Sequence, residues 1–363
     1  MECQHVEELS NEEFLRQFQR KAMQQRIPLS GMIALTHRCN LHCIHCYLGE
    51  ERNCHPHNGQ EVETSKWHAL IDEVTDAGSL ALTISGGEPL LRQDFAEIYR
   101  HAKTNGLLVT VFTNGTLISN SLLSLFQDLP PRNIDISVYG ATAETYAKIT
   151  GVKDAYTRCW QGIEALVTHG IPVSLKTILM TLNQHEFDAI EELAQKHGVP
   201  FRFNAEIIPC FNDDRRPIEL RIPPKDIIEK ELSSQKRVDS WTKFMEKRLG
   251  MRWCKETLYR CGSGMTGFAI DPYGYLYPCL MARHIRYDLL TGSFLEGWRT
   301  MLPQIQLKKA PERFPCRQCE AFVVCGYCPP TSAWETGKEE IPAEYRCQLN
   351  KLRFTTLKER GLT

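Results

Sequence analysis

Six short apolar runs alternate with helical patterns between residues 31 and 208, and that alternation leaves few folds open. The runs cover 31–36, 81–85, 107–112, 133–139, 172–179 and 201–208. Helical periodicity fills 64–77, 94–103, 119–128, 142–149, 155–169 and 184–197, with Thr64 expected to cap the first of these. Strands and helices at this spacing mean βα units around a parallel sheet. Six units are too few for an eight-fold barrel. A curved, incomplete (β/α)6 barrel and a doubly wound sheet both fit, and both place active sites at the C-terminal ends of the strands.

Outside this block the pattern changes. Residues 10–27 read as one amphipathic helix, with Ser10 as N-cap and Glu13 three residues on. Residues 212–224 are charged and proline-containing and read as a linker, and 224–248 as highly charged helix. From 254 onward short strands, turns and cysteines dominate. Residues 268–271 and 275–277 form a hairpin pattern around Pro272-Tyr273-Gly274. Little in this region can build a core unaided, so metal is expected to hold it. A terminal helix is expected near 345–359.

Composition excludes several classes. The 363 residues are 42% hydrophobic and 24% charged, with 43 basic and 44 acidic residues and a formal net charge of -1. That balance gives no general nucleic-acid or membrane surface. No apolar run is long enough to span a bilayer, and the acidic N-terminus lacks a signal-peptide core. The expected location is cytoplasmic.

The 15 cysteines are the unusual feature. Three lie in Cys39-Asn40-Leu41-His42-Cys43-Ile44-His45-Cys46, directly after the first apolar run. Eight lie between Cys254 and Cys347, and Cys3, Cys54, Cys159 and Cys210 are isolated. Clustered cysteines in such a chain point to metal or redox chemistry. Thiolates select iron–sulfur clusters, zinc or copper(I). Three are one short of a closed four-cysteine site, and the open position is where chemistry happens. After the second run stands Ser85-Gly86-Gly87-Glu88-Pro89. Paired glycines let a ligand approach the backbone closely.

The cysteine triplet after the first strand and Gly86-Gly87-Glu88-Pro89 after the second, inside six βα units, resemble a radical S-adenosylmethionine enzyme over about residues 30–210. The resemblance implies the partial (β/α)6 TIM-like barrel. It implies that Cys39, Cys43 and Cys46 hold a 4Fe–4S cluster whose fourth iron is chelated by S-adenosylmethionine. One electron then cleaves the cofactor to methionine and a 5′-deoxyadenosyl radical, which abstracts a substrate hydrogen. Gly86, Gly87, Glu88 and Pro89 would bind the methionine amino group, chiefly through Glu88. Asn114 and Ser137 match positions that contact the cofactor, Lys176 would pair with its carboxylate, and His45 would lie against adenine. A zinc site using His42 or His45 is the competing reading.

The later cysteines resemble the SPASM domain, an auxiliary-cluster extension, over residues 254–350. Cys261, Cys279 and Cys328 would hold a nearer cluster, with Cys254 as possible fourth ligand. Cys316, Cys319, Cys325 and Cys347 would hold an outer one. One or two auxiliary 4Fe–4S clusters are thus implied, with zinc-ribbon sites as the alternative. The expected divisions are an N-terminal helix (1–29), the partial barrel (30–210), a charged helical linker (211–253), the SPASM domain (254–350) and a C-terminal tail (351–363).

This extension most often accompanies a peptide or protein substrate, so the resemblance implies an oxidoreductase that crosslinks or oxidises a ribosomally made peptide. Tetrapyrrole side-chain chemistry is an alternative, and a non-catalytic electron carrier another. Sulfatase maturation wants an acidic residue after the cysteine that here is Cys279, and this chain has Leu280. A flavodoxin or ferredoxin would supply electrons. With about thirty residues before the first strand, leader recognition is expected from a separate small protein or from the barrel face. The general base is not named by the sequence: Asp213, Asp214, Tyr139, His284 and Tyr327 are candidates by position alone.

Overall fold

The computed structural model describes residues 9–52, 60–249 and 256–362. Cys3, Cys54 and Cys254 lie outside the described residues, and with Cys254 the expected fourth ligand of the nearer cluster.

Six strands follow the expected runs: β1 Ser30–Ala34, β2 Ala81–Ser85, β3 Leu108–Thr113, β4 Asn133–Ser137, β5 Val173–Ile178 and β6 Phe201–Asn204. They pair in parallel in the consecutive order β6-β5-β4-β3-β2-β1. A doubly wound sheet reverses its strand order at a switch point. Here there is no reversal among these six, so successive crossovers wind the same way, as in a barrel. The strands also alternate. Val109 and Val111 of β3 are buried in the core, while Thr110 and Phe112 between and beyond them are half-buried. On β5, Val173, Leu175 and Thr177 are buried and Ser174, Lys176 and Ile178 are half-buried. This period of two gives the sheet a packed face and a face open to a cleft.

The expected boundary between the barrel and the cysteine-rich region is crossed by the sheet itself. β7 (Gly267–Ile270) pairs in parallel with β1, and β8 (Tyr275–Tyr277) and β9 (Tyr287–Asp288) continue antiparallel, giving nine strands. Gly31 makes the junction possible. A Cβ there would stand 2.2 Å from the Phe268 ring. That ring meets Phe294 edge-on at 4.8 Å, and Trp298 behind it donates from Nε1 to the Arg26 carbonyl at 2.6 Å.

Two further expectations need correcting. The charged segment 211–249 is packed. Helices Pro224–Glu231 and Gln235–Leu249 bury Ile227, Ile228 and Met245 with Leu349 and Leu357 of the terminal helix Glu344–Glu359. Its charges are anchored, with Arg353 on Glu231 at 2.6 Å and Arg221 on Glu335 at 2.6 Å. The cysteine-rich region has its own core as well, built on Leu258, Tyr259, Ala282, Ile305, Phe314 and Tyr327. Apolar residues spread between cysteines hid that core from a periodicity reading.

At smaller scale, Ser10 caps its helix as expected by accepting from the Glu13 amide. Thr64 does not cap: the N-cap is Glu63, and the Thr64 hydroxyl donates to Asp94 at 2.6 Å. β6 ends at Asn204, four residues early, which frees Glu206, Ile207 and Ile208 to border the cleft.

Gly31→Ala should destabilise the chain by about 1–3 kcal/mol through overpacking at the β1–β7 junction. Phe268→Leu in the same chain should recover part of that loss. Thermal and urea melts of the three variants check this, and an undisturbed Gly31→Ala protein would contradict the packing described.

Candidate active site

The cysteine loop is placed by backbone contacts. Beyond β1, residues 35–38 run alongside the turn after β2. Leu35 N–H donates to Ser85 at 2.9 Å, Gly87 N–H to Thr36 at 2.7 Å and Glu88 N–H to Arg38 at 2.8 Å. A Cβ on Gly86 would lie 2.3 Å from the Thr36 carbonyl, and one on Gly87 2.4 Å from the carbonyls of His37 and Arg38. Both glycines are therefore demanded by the neighbouring chain. From there the loop is held by the helix Ala143–Thr150: His42 N–H donates to Thr150 at 2.7 Å and Ile44 N–H to Ile149 at 3.0 Å. Leu41 is buried beneath it.

The result is a cleft of about 590 Å³ at the C-terminal ends of the strands. Cys39, Cys43, Cys46 and His45 border it on one side, and Gly86, Gly87, Asn114, Ser137 and Lys176 on the others. The structure thus brings together nine of the eleven residues expected at the cofactor and the first cluster, and adds Tyr139. The His45 ring meets Tyr139 at 4.6 Å between centroids.

Glu88 and Pro89 are buried and do not border the cleft. The Glu88 carboxylate accepts from Leu90 N–H at 3.1 Å, from the Thr113 hydroxyl at 2.8 Å and from Asn114 N–H at 2.7 Å. It is spent on fixing the end of β3. Burial pushes its pKa up to about 7, against the opposing pull of those hydrogen bonds. Asn114 carries the connection back to the loop. Its Nδ2 donates to Asn40 Oδ1 at 2.8 Å and reaches the Cys39 sulfur at 3.9 Å, while its Oδ1 accepts from the Thr116 amide and hydroxyl. Asn40 closes the triangle by donating to the Thr116 hydroxyl at 2.8 Å. Sequence reasoning passed over Asn40 and Thr116. Their only signal was polarity beside a cysteine and beside Asn114.

Lys176 is half-buried on β5, its Nζ 3.2 Å from the centre of the Phe112 ring. Burial lowers its pKa to about 7. Asp135 pulls it back up, Arg202 pushes it down and Glu88 raises it weakly. Of the five candidate bases only Tyr139 borders the cleft. Burial, then the nearby Cys43 charge, holds its hydroxyl well above the ordinary tyrosine range, so it is a poor proton acceptor. Asp214 is paired with Arg216 at 2.5 Å, His284 with Glu339 at 2.9 Å, and the Tyr327 hydroxyl donates to the Glu339 carbonyl.

The later cysteines separate into two sets. Cys316, Cys319, Cys325 and Cys347 border one pocket. Cys279 lies within electrostatic reach of Cys328 and Cys261. No disulfide joins the described cysteines. Among the described residues no three His, Cys, Asp or Glu side chains converge on a single point suited to one metal ion. Cys39, Cys43 and Cys46 border the cleft and Cys316, Cys319, Cys325 and Cys347 the second pocket, as ligands do when each holds a different iron of a cluster. The donor set, soft and thiol-rich, fits iron–sulfur clusters.

Residues 33–196 match the model of the radical SAM superfamily. The chain carries a radical SAM domain. It is similar to the AdoMet-dependent heme synthase of Methanosarcina barkeri, 27% identical over 85% of this chain and 93% of that protein. Mycofactocin maturase MftC of Mycobacterium tuberculosis is 26% identical over 80% of this chain and 75% of its own length. In fold it resembles Streptococcus suis SuiB bound to precursor peptide SuiA, with a TM-score of 0.67 and 15% identity, covering 96% of this chain and 84% of that one. The chain is an enzyme that carries this domain, and the domain's superfamily uses S-adenosylmethionine and a 4Fe–4S cluster. No helix among the described residues is long and apolar enough to cross a membrane.

The buried Glu88 carboxyl makes stability pH-dependent. Its folded pKa is raised, so its contribution is present below the unfolded value and is lost as pH rises through about 7. The metal-free wild type should lose about 2 kcal/mol relative to Glu88→Gln between pH 5 and pH 7, with little further change above. Urea melts across that range measure it, and a pH-independent difference would remove the buried-carboxyl account.

Proposed function

We propose that this radical SAM enzyme modifies a ribosomally made peptide by crosslinking or oxidation. One observation carries the reading. The cleft bordered by Cys39, Cys43 and Cys46 is also bordered by Leu280, the residue after Cys279, so one substrate space reaches both cysteine regions. Likeness to MftC and to SuiB with its precursor peptide supports a peptide in that space.

In this reading Cys39, Cys43 and Cys46 hold the first cluster. Gly86, Gly87, His45, Asn114 and Ser137 wall the space for S-adenosylmethionine, and Glu88 and Pro89 support that wall from behind. When bound, cluster and cofactor together supply one-electron cleavage and hydrogen abstraction. Cys261, Cys279 and Cys328 form one auxiliary site, and Cys316, Cys319, Cys325 and Cys347 the other. The chain's own contribution is to aim the three thiols, exclude water with Phe112, Ile178 and Phe203 of β3, β5 and β6, and seat the substrate against Leu280. The hydrophobic Leu280 is unsuited to the acid-assisted sulfatase maturation considered above. A flavodoxin or ferredoxin serves as electron donor, and any leader is recognised by a separate small protein or by the barrel face. The residue ranges expected from the sequence stand as proposed units, joined by the continuous sheet.

A second reading, tetrapyrrole side-chain chemistry, is favoured by the likeness to the M. barkeri heme synthase along nearly its whole length. Deuterium separates the two. Label should pass into 5′-deoxyadenosine from a deuterated precursor peptide under the first reading, and from a deuterated porphyrin under the second.

Changing Cys39, Cys43 and Cys46 together to Ala should lower reconstituted iron by about four per chain and abolish 5′-deoxyadenosine formation. Continued formation of 5′-deoxyadenosine by that variant would overturn the assignment.

A further inference from the structure

One ion pair joins the cleft to the second cysteine pocket. Glu206, just beyond β6, is the one carboxylate on the cleft wall among the described residues. Asn204 at the end of β6 holds it there, its Oδ1 accepting from the Glu206 amide at 2.8 Å. The Glu206 carboxylate meets Arg346 at 3.2 Å, and Arg346 borders the pocket of Cys316, Cys319, Cys325 and Cys347. Arg346 directly precedes Cys347 on the terminal helix. The two spaces are thus one ion pair apart.

The guanidinium is held in place. Its Nη1 donates to the Thr331 hydroxyl at 2.9 Å, and that hydroxyl donates to the Cys328 carbonyl at 3.0 Å. Nη2 is the atom that meets Glu206. The third nitrogen, Nε, is buried with no hydrogen-bond partner among the described residues. A buried donor left without an acceptor is costly, and a ligand at the site is one way to supply the acceptor. The pocket wall carries no carboxylate among the described residues, and its two cations are Arg346 and Lys351. Lys351 is exposed, so water and salt screen it. The Arg346 side chain is only 18% exposed, so its charge is screened far less.

A cluster on four thiolates gains one negative charge when it is reduced, and its potential follows the charges and hydrogen-bond donors around its sulfurs. A fixed cation beside the thiols favours the reduced form, and a carboxylate favours the oxidised form. We propose that the Arg346–Glu206 pair sets the reduction potential of the outer auxiliary site, Arg346 raising it and Glu206 lowering it. The inference rests on the reading of Cys316, Cys319, Cys325 and Cys347 as a cluster site. Because Glu206 stands on the cleft wall, the pair is the charged link between the substrate space and the outer site.

The test is a redox titration of the anaerobically reconstituted full chain, followed by electron paramagnetic resonance. The outer site's signal is the one lost when Cys319 and Cys347 are changed to Ser. Arg346→Gln should lower its midpoint by about 59 mV, a tenfold fall in the reduced-to-oxidised ratio at fixed potential. Arg346→Lys should keep most of the wild-type value, and Glu206→Gln should raise the midpoint. Disturbed packing has no reason to move these two positions in opposite directions, whereas removal of opposite charges does. If Arg346→Gln fails to retain iron, Glu206→Gln decides, and its shift must still be upward. Shifts of the same sign in Arg346→Gln and Glu206→Gln, or an unchanged midpoint in either, overturn the proposal and leave the cluster reading standing. A wild type with no signal that depends on Cys319 and Cys347 overturns both.

Discussion

The site depends on one close approach of two backbones. Residues 36–38 and the turn at Gly86-Gly87 run side by side with no room for a Cβ on either glycine. Two peptide hydrogen bonds across that contact set where the cysteine loop begins. Glu88 then turns away from the cleft and clamps the end of β3, and Asn114 returns from β3 to touch the loop at Asn40 and Cys39. Three strand ends are tied in series. An exposed carboxylate would move with solvent, whereas a buried one with three donors holds its partners in place. The turn therefore acts through structure before it acts on any ligand.

The second constraint is continuity. Because β7 pairs with β1, the hairpin that precedes Cys279 is an extension of the sheet that carries the cysteine loop. Side chains seal the seam between them. The His37 ring meets Tyr273 edge-on at 5.4 Å, and Tyr47 packs on Phe211, which also contacts Trp334 and the Arg283 guanidinium. A rigid junction of this kind fixes the distance from the first thiols to Leu280. That is what allows one cleft to serve both cysteine regions.

Much of this was legible in the sequence, for reasons that can be named. The six strands announce themselves because each is apolar, short and bounded by helical periodicity. The expected partition of the later cysteines came from the resemblance to the SPASM domain. What escaped depends on contacts between distant residues. Nothing in Gly86-Gly87 says whether a ligand or the neighbouring chain demands the missing side chain. The direction of Glu88 is decided by donors on β3, twenty-five residues away. The junction at Gly31 needs Phe268, and Asn40 needs Thr116. The charged segment around 224–249 hid its buried face because Ile227, Ile228 and Met245 are few among many charges.

The cysteine-rich region shows how polar burial can organise what periodicity cannot. Glu339 is almost fully buried, and its carboxylate takes His284 at 2.9 Å together with Lys308 and the Tyr259 hydroxyl. Burial alone would raise its pKa, but these hydrogen bonds outweigh it and hold the carboxyl at about 2. Tyr259 precedes Cys261 by two residues, His284 follows Cys279 by five, and Tyr327 precedes Cys328 while donating to the Glu339 backbone. One residue thus gathers the three segments that carry these thiols. A group with so many satisfied partners is costly to displace. These protein contacts gather the segments that carry the thiols.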